Sequence, residues 1–270
     1  AKNRTDDEYI RALYRTMMGR EADAVGLAYW KGDLASGLSR RFLLNNFVNS
    51  QEFEAICASY GIERGVVSLL ENRDQRKVLT TFVNQFYLNC MGRPGDVDGL
   101  NYWTGELMAG RRTGADMAEY FFFQNEFTSK NTTDVEFVEY AYRAMFNREP
   151  DTSGLAFWVE LQQKGVSRRH VLSRMVSVAE FKEQCDKAGI PVGSIALSEN
   201  RDKNDALTAF VNNLYLQTLG RYGDVDGLNY YTGELLSKRT GGINVVQVML
   251  RSPEFAGRNL PVEEYIRIVY

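Results

Sequence analysis

Gly92–Trp103 reads Gly-Arg-Pro-Gly-Asp-Val-Asp-Gly-Leu-Asn-Tyr-Trp, and the same frame returns three more times along the chain. The frame is Gly or Asn, then Arg, then Asp-x-x-Gly-Leu, then x-aromatic-aromatic. It stands at Gly19–Trp30, Gly92–Trp103, Asn147–Trp158 and Gly220–Tyr231. Its aspartates, Asp23, Asp96, Asp151 and Asp224, lie 73, 55 and 73 residues apart, so pairs of half-units nest within a period of 128. The period holds outside the frame as well. Glu8-Tyr9 matches Glu136-Phe137, Asn72-Arg73-Asp74 matches Asn200-Arg201-Asp202, and Phe82-Val83-Asn84 matches Phe210-Val211-Asn212. Self-similarity at a fixed period signals a supersecondary unit copied in tandem. The expected units are 1–133, 134–261 and the start of a third at 262–270, where Glu264-Tyr265 reopens the pattern. The chain therefore reads as a segment of a longer array.

Periodicity within a unit points to an all-α fold of tandem helical repeats, about six helices per 128 residues. Tyr9, Ile10, Leu13, Tyr14 and Met17 give Asp6–Met18 a helical stripe. Leu27–Ala35 is expected as a short helix. Ser39 then opens a long one through Phe42, Phe47, Phe53 and Ile56 to Gly61. Gly61–Asp74 reads as a connector. Arg76–Met91 carries Leu79, Phe82, Val83, Phe86, Tyr87, Cys90 and Met91 on one face. Leu100–Met108 and a helix from Thr113 to Phe127 complete the unit. Five prolines and no sustained alternation leave little room for strands.

Each frame aspartate sits between two helices, where it suits the N-cap of the second and the positive end of its dipole. Gly26, Gly99, Gly154 and Gly227, three residues on, permit close backbone approach. Trp30, Trp103, Trp158 and Tyr231 are expected as inward wedges. Arg20, Arg93, Arg148 and Arg221 are placed to bond the preceding helix's carbonyls or the aspartate itself. The recurring Ser50-Gln51-Glu52-Phe53, Gln124–Phe127, Ser177–Phe181 and Ser252–Phe255 resemble a capping box or a helix turn with an inward aromatic. Asp96-Val97-Asp98-Gly99 also looks like the opening of a calcium loop. An EF-hand needs oxygens at positions 1, 3, 5 and 12 with Gly at 6, whereas here Gly falls at 4 and leucines stand at 5 and 12. No metal or other cofactor is expected.

Several function classes fall away. A net charge of −3 and a pI near 5.5 argue against a sequence-independent nucleic-acid binder, which needs a basic face. No apolar run is long enough to span a membrane. Cys57, Cys90 and Cys185 have no metal-ligand spacing and read as buried small side chains. His170, the single histidine, has Phe42 as its counterpart, so no catalytic histidine is repeated, and Ser167-Arg168-Arg169-His170 reads as a solvated basic helix start. No phosphate loop or dinucleotide fingerprint occurs. No enzyme is expected.

The half-unit Phe210-Val211-Asn212-Asn213-Leu214-Tyr215, Leu219-Gly220-Arg221, Asp224-x-x-Gly227-Leu228-x-Tyr230-Tyr231 and Ser252-x-Glu254-Phe255 resembles the DUF4214 repeat, a domain of unknown function found in bacterial surface and secreted proteins. The likeness covers nearly the whole chain as four copies. The first and third depart in their opening helices, Tyr9–Tyr14 and Phe137–Tyr142, and the third has Asn147 for Gly. The resemblance implies an extracellular or cell-surface setting and a repeated non-catalytic module.

The expected function is therefore a binding module, in which repetition supplies avidity. An extracellular protein, such as a host glycoprotein of the immunoglobulin kind, is the favoured partner. Glycans recognised by exposed frame aromatics, Tyr29, Tyr102, Phe157 and Tyr230, are the alternative, and a passive stalk is the third reading. Basic doublets that recur on an acidic chain mark candidate interface residues: Arg40-Arg41 with Arg168-Arg169, and Arg111-Arg112 with Arg239.

Overall fold

Most α-helices among the described residues begin on a side-chain cap, and the caps explain where two expected helices break. The structure is a computed structural model and describes residues 4–269; Tyr270, the last residue of the expected third copy, lies outside them. Helices dominate and no strand occurs among the described residues. The expected Ser39–Gly61 helix is two helices, Arg40–Val48 and Gln51–Ser59. Ser50 divides them because its hydroxyl accepts from Phe53 N–H at 3.2 Å, an N-cap geometry that competes with helix continuation. Thr113–Phe127 divides in the same way into Gly114–Phe123 and Asn125–Thr128, with Gln124 as the second cap. The marker helices start earlier than expected, at Ala24 and Val97, because the aspartate itself is the cap.

The opening helices change pitch. Asp6–Leu13 continues as a π-helical turn, Tyr14–Met18, and Lys77–Phe86 continues as Tyr87–Met91. Tyr142–Phe146 and Tyr215–Leu219 repeat the feature. A π turn accommodates an extra residue and is not visible to a search at period 3.6. Each wide turn is followed by a left-handed residue, with φ of 64° at Gly19, 74° at Gly92, 56° at Asn147 and 71° at Gly220. Asn is the non-glycine residue that best tolerates this conformation, which explains its place in the third frame.

Two polar clamps account for further matches at the 128-residue period. Asp74, buried at the end of the connector, accepts from Ser39 N–H at 2.9 Å and from the Ser39 hydroxyl, so it ties the connector to the start of the Arg40–Val48 helix. Asp202 does the same for Ser167, at 2.8 and 2.6 Å. Asn84 donates to Ala35 O at 2.9 Å and accepts from Gly95 N–H at 2.8 Å, and Asn212 repeats both bonds with Gln163 O and Gly223 N–H. Buried polar groups are kept only when paired, so these residues hold their identity in both units.

The chain forms two compact units. One runs to Asn131 and adds Arg143–Asn147 and Ala179–Gly193; the other comprises Thr132–Tyr142, Arg148–Val178 and the chain from Ser194 onward. The sequence boundaries 1–133, 134–261 and 262–270 are thus not packing boundaries. The reason lies in the first unit. There Gly114 and Ala115 N–H groups donate to Pro191 O and Val192 O at 2.9 and 2.7 Å, and Phe181 packs on Phe82. The first unit's core includes Ile10, Leu13, Tyr14, Leu43 and Phe47; that of the second includes Val211, Tyr215, Leu228, Val245 and Met249. Cys57, Cys90 and Cys185 are free and buried, and burial pushes the Cys185 thiol up to about 12.

Candidate functional site

The repeated frame folds into a lock. Asp23, Asp96, Asp151 and Asp224 each accept from the N–H of the glycine three residues on, at 2.7 to 2.8 Å. That hydrogen bond is the main reason the Asp96 and Asp224 carboxyls lie below the usual aspartate range, with the neighbouring arginine adding to it. The glycine is required by a tyrosine that opens the π turn. A Cβ at Gly26, Gly99, Gly154 or Gly227 would lie 2.3, 2.2, 2.4 or 2.1 Å from the hydroxyl of Tyr14, Tyr87, Tyr142 or Tyr215. The frame arginine lies over the same ring, with its guanidinium 4.8, 5.6, 4.9 and 5.2 Å from the ring centre in the four copies.

Rather than chiefly meeting the aspartate or the preceding carbonyls, the arginine reaches the Glu of the Ser-x-Glu-Phe element. Arg20 forks onto Glu52 at 2.7 and 2.9 Å, Arg93 onto Glu126 at 2.9 and 3.0 Å, and Arg221 onto Glu254. The frame aspartate is a second, longer partner, 3.3 to 3.7 Å away. Of the two aspartates that looked like the start of a calcium loop, Asp96 is therefore turned to a helix N-terminus and a guanidinium. The Ser-x-Glu-Phe element is a simple N-cap and not a capping box: Ser50 and Ser252 accept from the Phe N–H at the third helical position, and the Glu before that Phe pairs with the arginine.

One face of the frame stays open. The aromatic beside each wedge is half-exposed: Tyr29 54%, Tyr102 51%, Phe157 50% and Tyr230 62%. Each stands edge-on to its inward neighbour, Trp30, Trp103, Trp158 or Tyr231. The Tyr29 ring is covered by Lys77, whose ammonium lies 4.5 Å from its centre and also pairs with buried Asp33 at 2.5 Å.

In the second half-unit this face deepens into a cleft of about 470 Å³. Tyr87, Gly99, Tyr102 and Trp103 line it, Arg112 enters from the bend before the Gly114–Phe123 helix, and that helix contributes Asp116 and Tyr120. Tyr120 is 52% exposed and its ring lies 5.1 Å from Trp103. Asp116 is held in a capping box with Thr113, accepting from its N–H at 2.8 Å and its hydroxyl at 2.7 Å. Asp98 lines the cleft from the first turn of the Val97–Met108 helix. The Arg112 guanidinium makes no hydrogen bond or ion pair among the described residues. Burial pushes the Tyr87 hydroxyl up to about 12, with Asp96 adding to it, so Tyr87 stays a neutral donor.

The other candidate arginines are committed to their own chain. Arg40 pairs with Asp6 at 2.7 Å and lies over Tyr9; Arg41 donates to Ser68 O at 2.5 Å. Arg111 pairs with Glu106 at 2.6 Å, Arg239 with Glu234 at 2.7 Å, and Arg168 with Asp134 at 3.0 Å. Arg169 is half-buried. The doublets recur because they pin helix starts and turns, whereas Arg112 faces the cleft. His170 is buried, with Nδ1 2.9 Å from Asp202 O, so Ser167–His170 is no solvated tip.

Sequence reasoning missed the tyrosine, Tyr120 and Asp116. The tyrosine leaves a signal, since it stands twelve residues before the glycine in all four copies. Tyr120 and Asp116 leave none, because the corresponding positions are Asn46 and Phe42, Arg174 and His170, and Val248 and Asn244.

A family model described as a domain of unknown function, DUF4214, matches residues 1–57, 72–130, 118–185 and 191–259. The chain belongs to the DUF4214 family. No curated protein and no solved structure matches it. Each DUF4214 copy carries one tyrosine–glycine lock, one Asp cap and one half-exposed aromatic, so these are features of the repeat. The cleft around Arg112 and Tyr120 is an elaboration of the second copy. No helix among the described residues is long and apolar enough to cross a membrane.

Proposed function

We propose that the protein is a non-catalytic carbohydrate-binding module whose principal site is the cleft of the second DUF4214 copy. The observation that carries this reading is the pairing of two half-exposed tyrosines, Tyr102 and Tyr120, with the unpaired guanidinium of Arg112 in one concave site. Aromatic faces offer area to the C–H face of a sugar ring, and a planar guanidinium with a nearby carboxylate suits vicinal hydroxyls. The half-exposed aromatics of the other copies supply weaker contacts, and several such sites on one chain add avidity. Such a module belongs at a bacterial surface or in a secretion, where glycans are displayed.

The basic doublets that mark candidate interface residues for an extracellular protein partner are mostly spent within the chain. A glycoprotein would still be captured, through its sugars. The test is a glycan array followed by calorimetry on the best hit. Tyr102→Ala, Tyr120→Ala and Arg112→Ala should each weaken binding about tenfold, the loss of ~1.4 kcal/mol, with little change in melting temperature. Binding that survives all three substitutions, or capture that persists after enzymatic deglycosylation of the ligand, would overturn the carbohydrate reading.

A further inference from the structure

Within the first compact unit, the Ala179–Ala188 helix and its tail to Gly193 pack on the Lys77–Phe86 and Gly114–Phe123 helices. Phe181 lies 6.3 Å from Phe82, ring centre to ring centre. Gly114 is a glycine because Cys185 fills the space: a Cβ there would lie 2.6 Å from its Sγ. The N–H groups of Gly114 and Ala115, at the start of their helix, donate to the carbonyls of Pro191 and Val192. The contact has an apolar centre, a close approach and backbone hydrogen bonds at its edge.

The 128-residue period supplies both halves of this contact a second time, and there apolar residues of each half are exposed, although Cys57 itself is buried in its own unit. On the receiving side Phe82 becomes Phe210, Gly114 becomes Gly242 and Ala115 becomes Ile243. Phe82 is 5% exposed and Phe210 42%; Ala115 is 0% exposed and Ile243 65%. On the docking side Phe181 becomes Phe53, Cys185 becomes Cys57 and Ile190 becomes Ile62, and exposure rises from 5% at Ile190 to 61% at Ile62. The Gly242–Leu250 helix has no side-chain cap, which leaves its first N–H groups in the state that Gly114 and Ala115 resolve by pairing. Gly242 has no local need to be glycine, since a Cβ there would meet nothing nearer than the Phe210 ring at 3.5 Å. Its counterpart needs glycine because a cysteine docks there, and that cysteine's counterpart, Cys57, is retained. One bond is not repeated: Arg76, which donates to Gly189 O, has Asn204 in its place.

We propose that residues 51–65 of one copy dock on the Asp205–Leu214 and Gly242–Leu250 helices of a second copy of this chain. The two surfaces differ and sit on the same polypeptide, so the contact is heterologous and propagates head to tail. The apolar residues it covers explain why Phe210, Ile243 and Ile62 are exposed in a single chain.

Sedimentation velocity over a wide concentration range tests this directly. The mass of the parent chain should rise with concentration. Phe210→Asp and Ile62→Asp should each remain at the mass of one chain when alone, and their equimolar mixture should stop at two. Gly242→Cys should form a ladder of disulfide-linked species on mild oxidation, abolished by adding Cys57→Ser. Ile243→Glu replaces Phe210→Asp if the latter loses helical circular dichroism. A parent chain of constant mass and a Gly242→Cys variant without linked species would overturn the proposal, as would an oligomer indifferent to these substitutions.

Discussion

The most constrained position in each repeat is the glycine that faces a tyrosine hydroxyl. Gly99 leaves no room for a methyl group, because Tyr87 Oη would lie 2.2 Å from a Cβ. Gly99→Ala should therefore destabilise the first unit by about 1–3 kcal/mol, read as a drop in denaturation midpoint. In a Tyr87→Phe background the same change should cost clearly less, because the oxygen that clashes is gone. A double-mutant cycle with no coupling would refute the lock. Asp96→Ala should cost about 0.5–2 kcal/mol through loss of the cap. The glycine and aspartate were legible from their recurrence. The tyrosine was not singled out, because on a helical stripe it counts as one more apolar residue.

At the scale of the element, the recurring Arg and Glu join a helix pair at three places. Arginine holds the carboxyls of Glu52, Glu126 and Glu254 below the usual glutamate range. A depressed carboxylate contributes stability above its unfolded pKa, near 4.3, and loses it as pH falls through the lower folded value. Urea midpoints should therefore be flat above about pH 5 and fall towards about pH 3. Glu126→Gln with Glu254→Gln should flatten that fall. These groups are exposed, so salt should weaken the effect as well. An unchanged slope in the double variant would count against the pairing. The helices themselves were legible from period and composition. Their breaks at Ser50 and Gln124 and their π turns were not, because capping and pitch depend on local backbone geometry that hydrophobic spacing does not encode.

For the whole molecule, the repeat in sequence and the unit of packing are out of register. A fragment ending at residue 133 lacks the Ala179–Gly193 segment that covers Phe82 and Gly114. It should melt lower than one ending at residue 193 and bind a hydrophobic dye that the longer fragment ignores. Equal melting and no dye binding would show that the segment contributes nothing to the first unit. The four copies are similar enough to be found by eye, yet one of them alone carries Arg112, Asp116 and Tyr120 around its open aromatic. A search for what repeats passes over that site, because what distinguishes it is what does not repeat.

The sequence alone determined the all-α class, the DUF4214 repeat, the Asp caps and the inward wedges, because these follow from local spacing and residue type. Tertiary structure decided the rest. It paired Arg with a Glu some thirty residues away, buried His170, spent most of the basic doublets in ion pairs, and left Arg112 facing two tyrosines. Each of these depends on which helices are brought side by side, and that is fixed by packing across long stretches of chain, where no short-range pattern reaches.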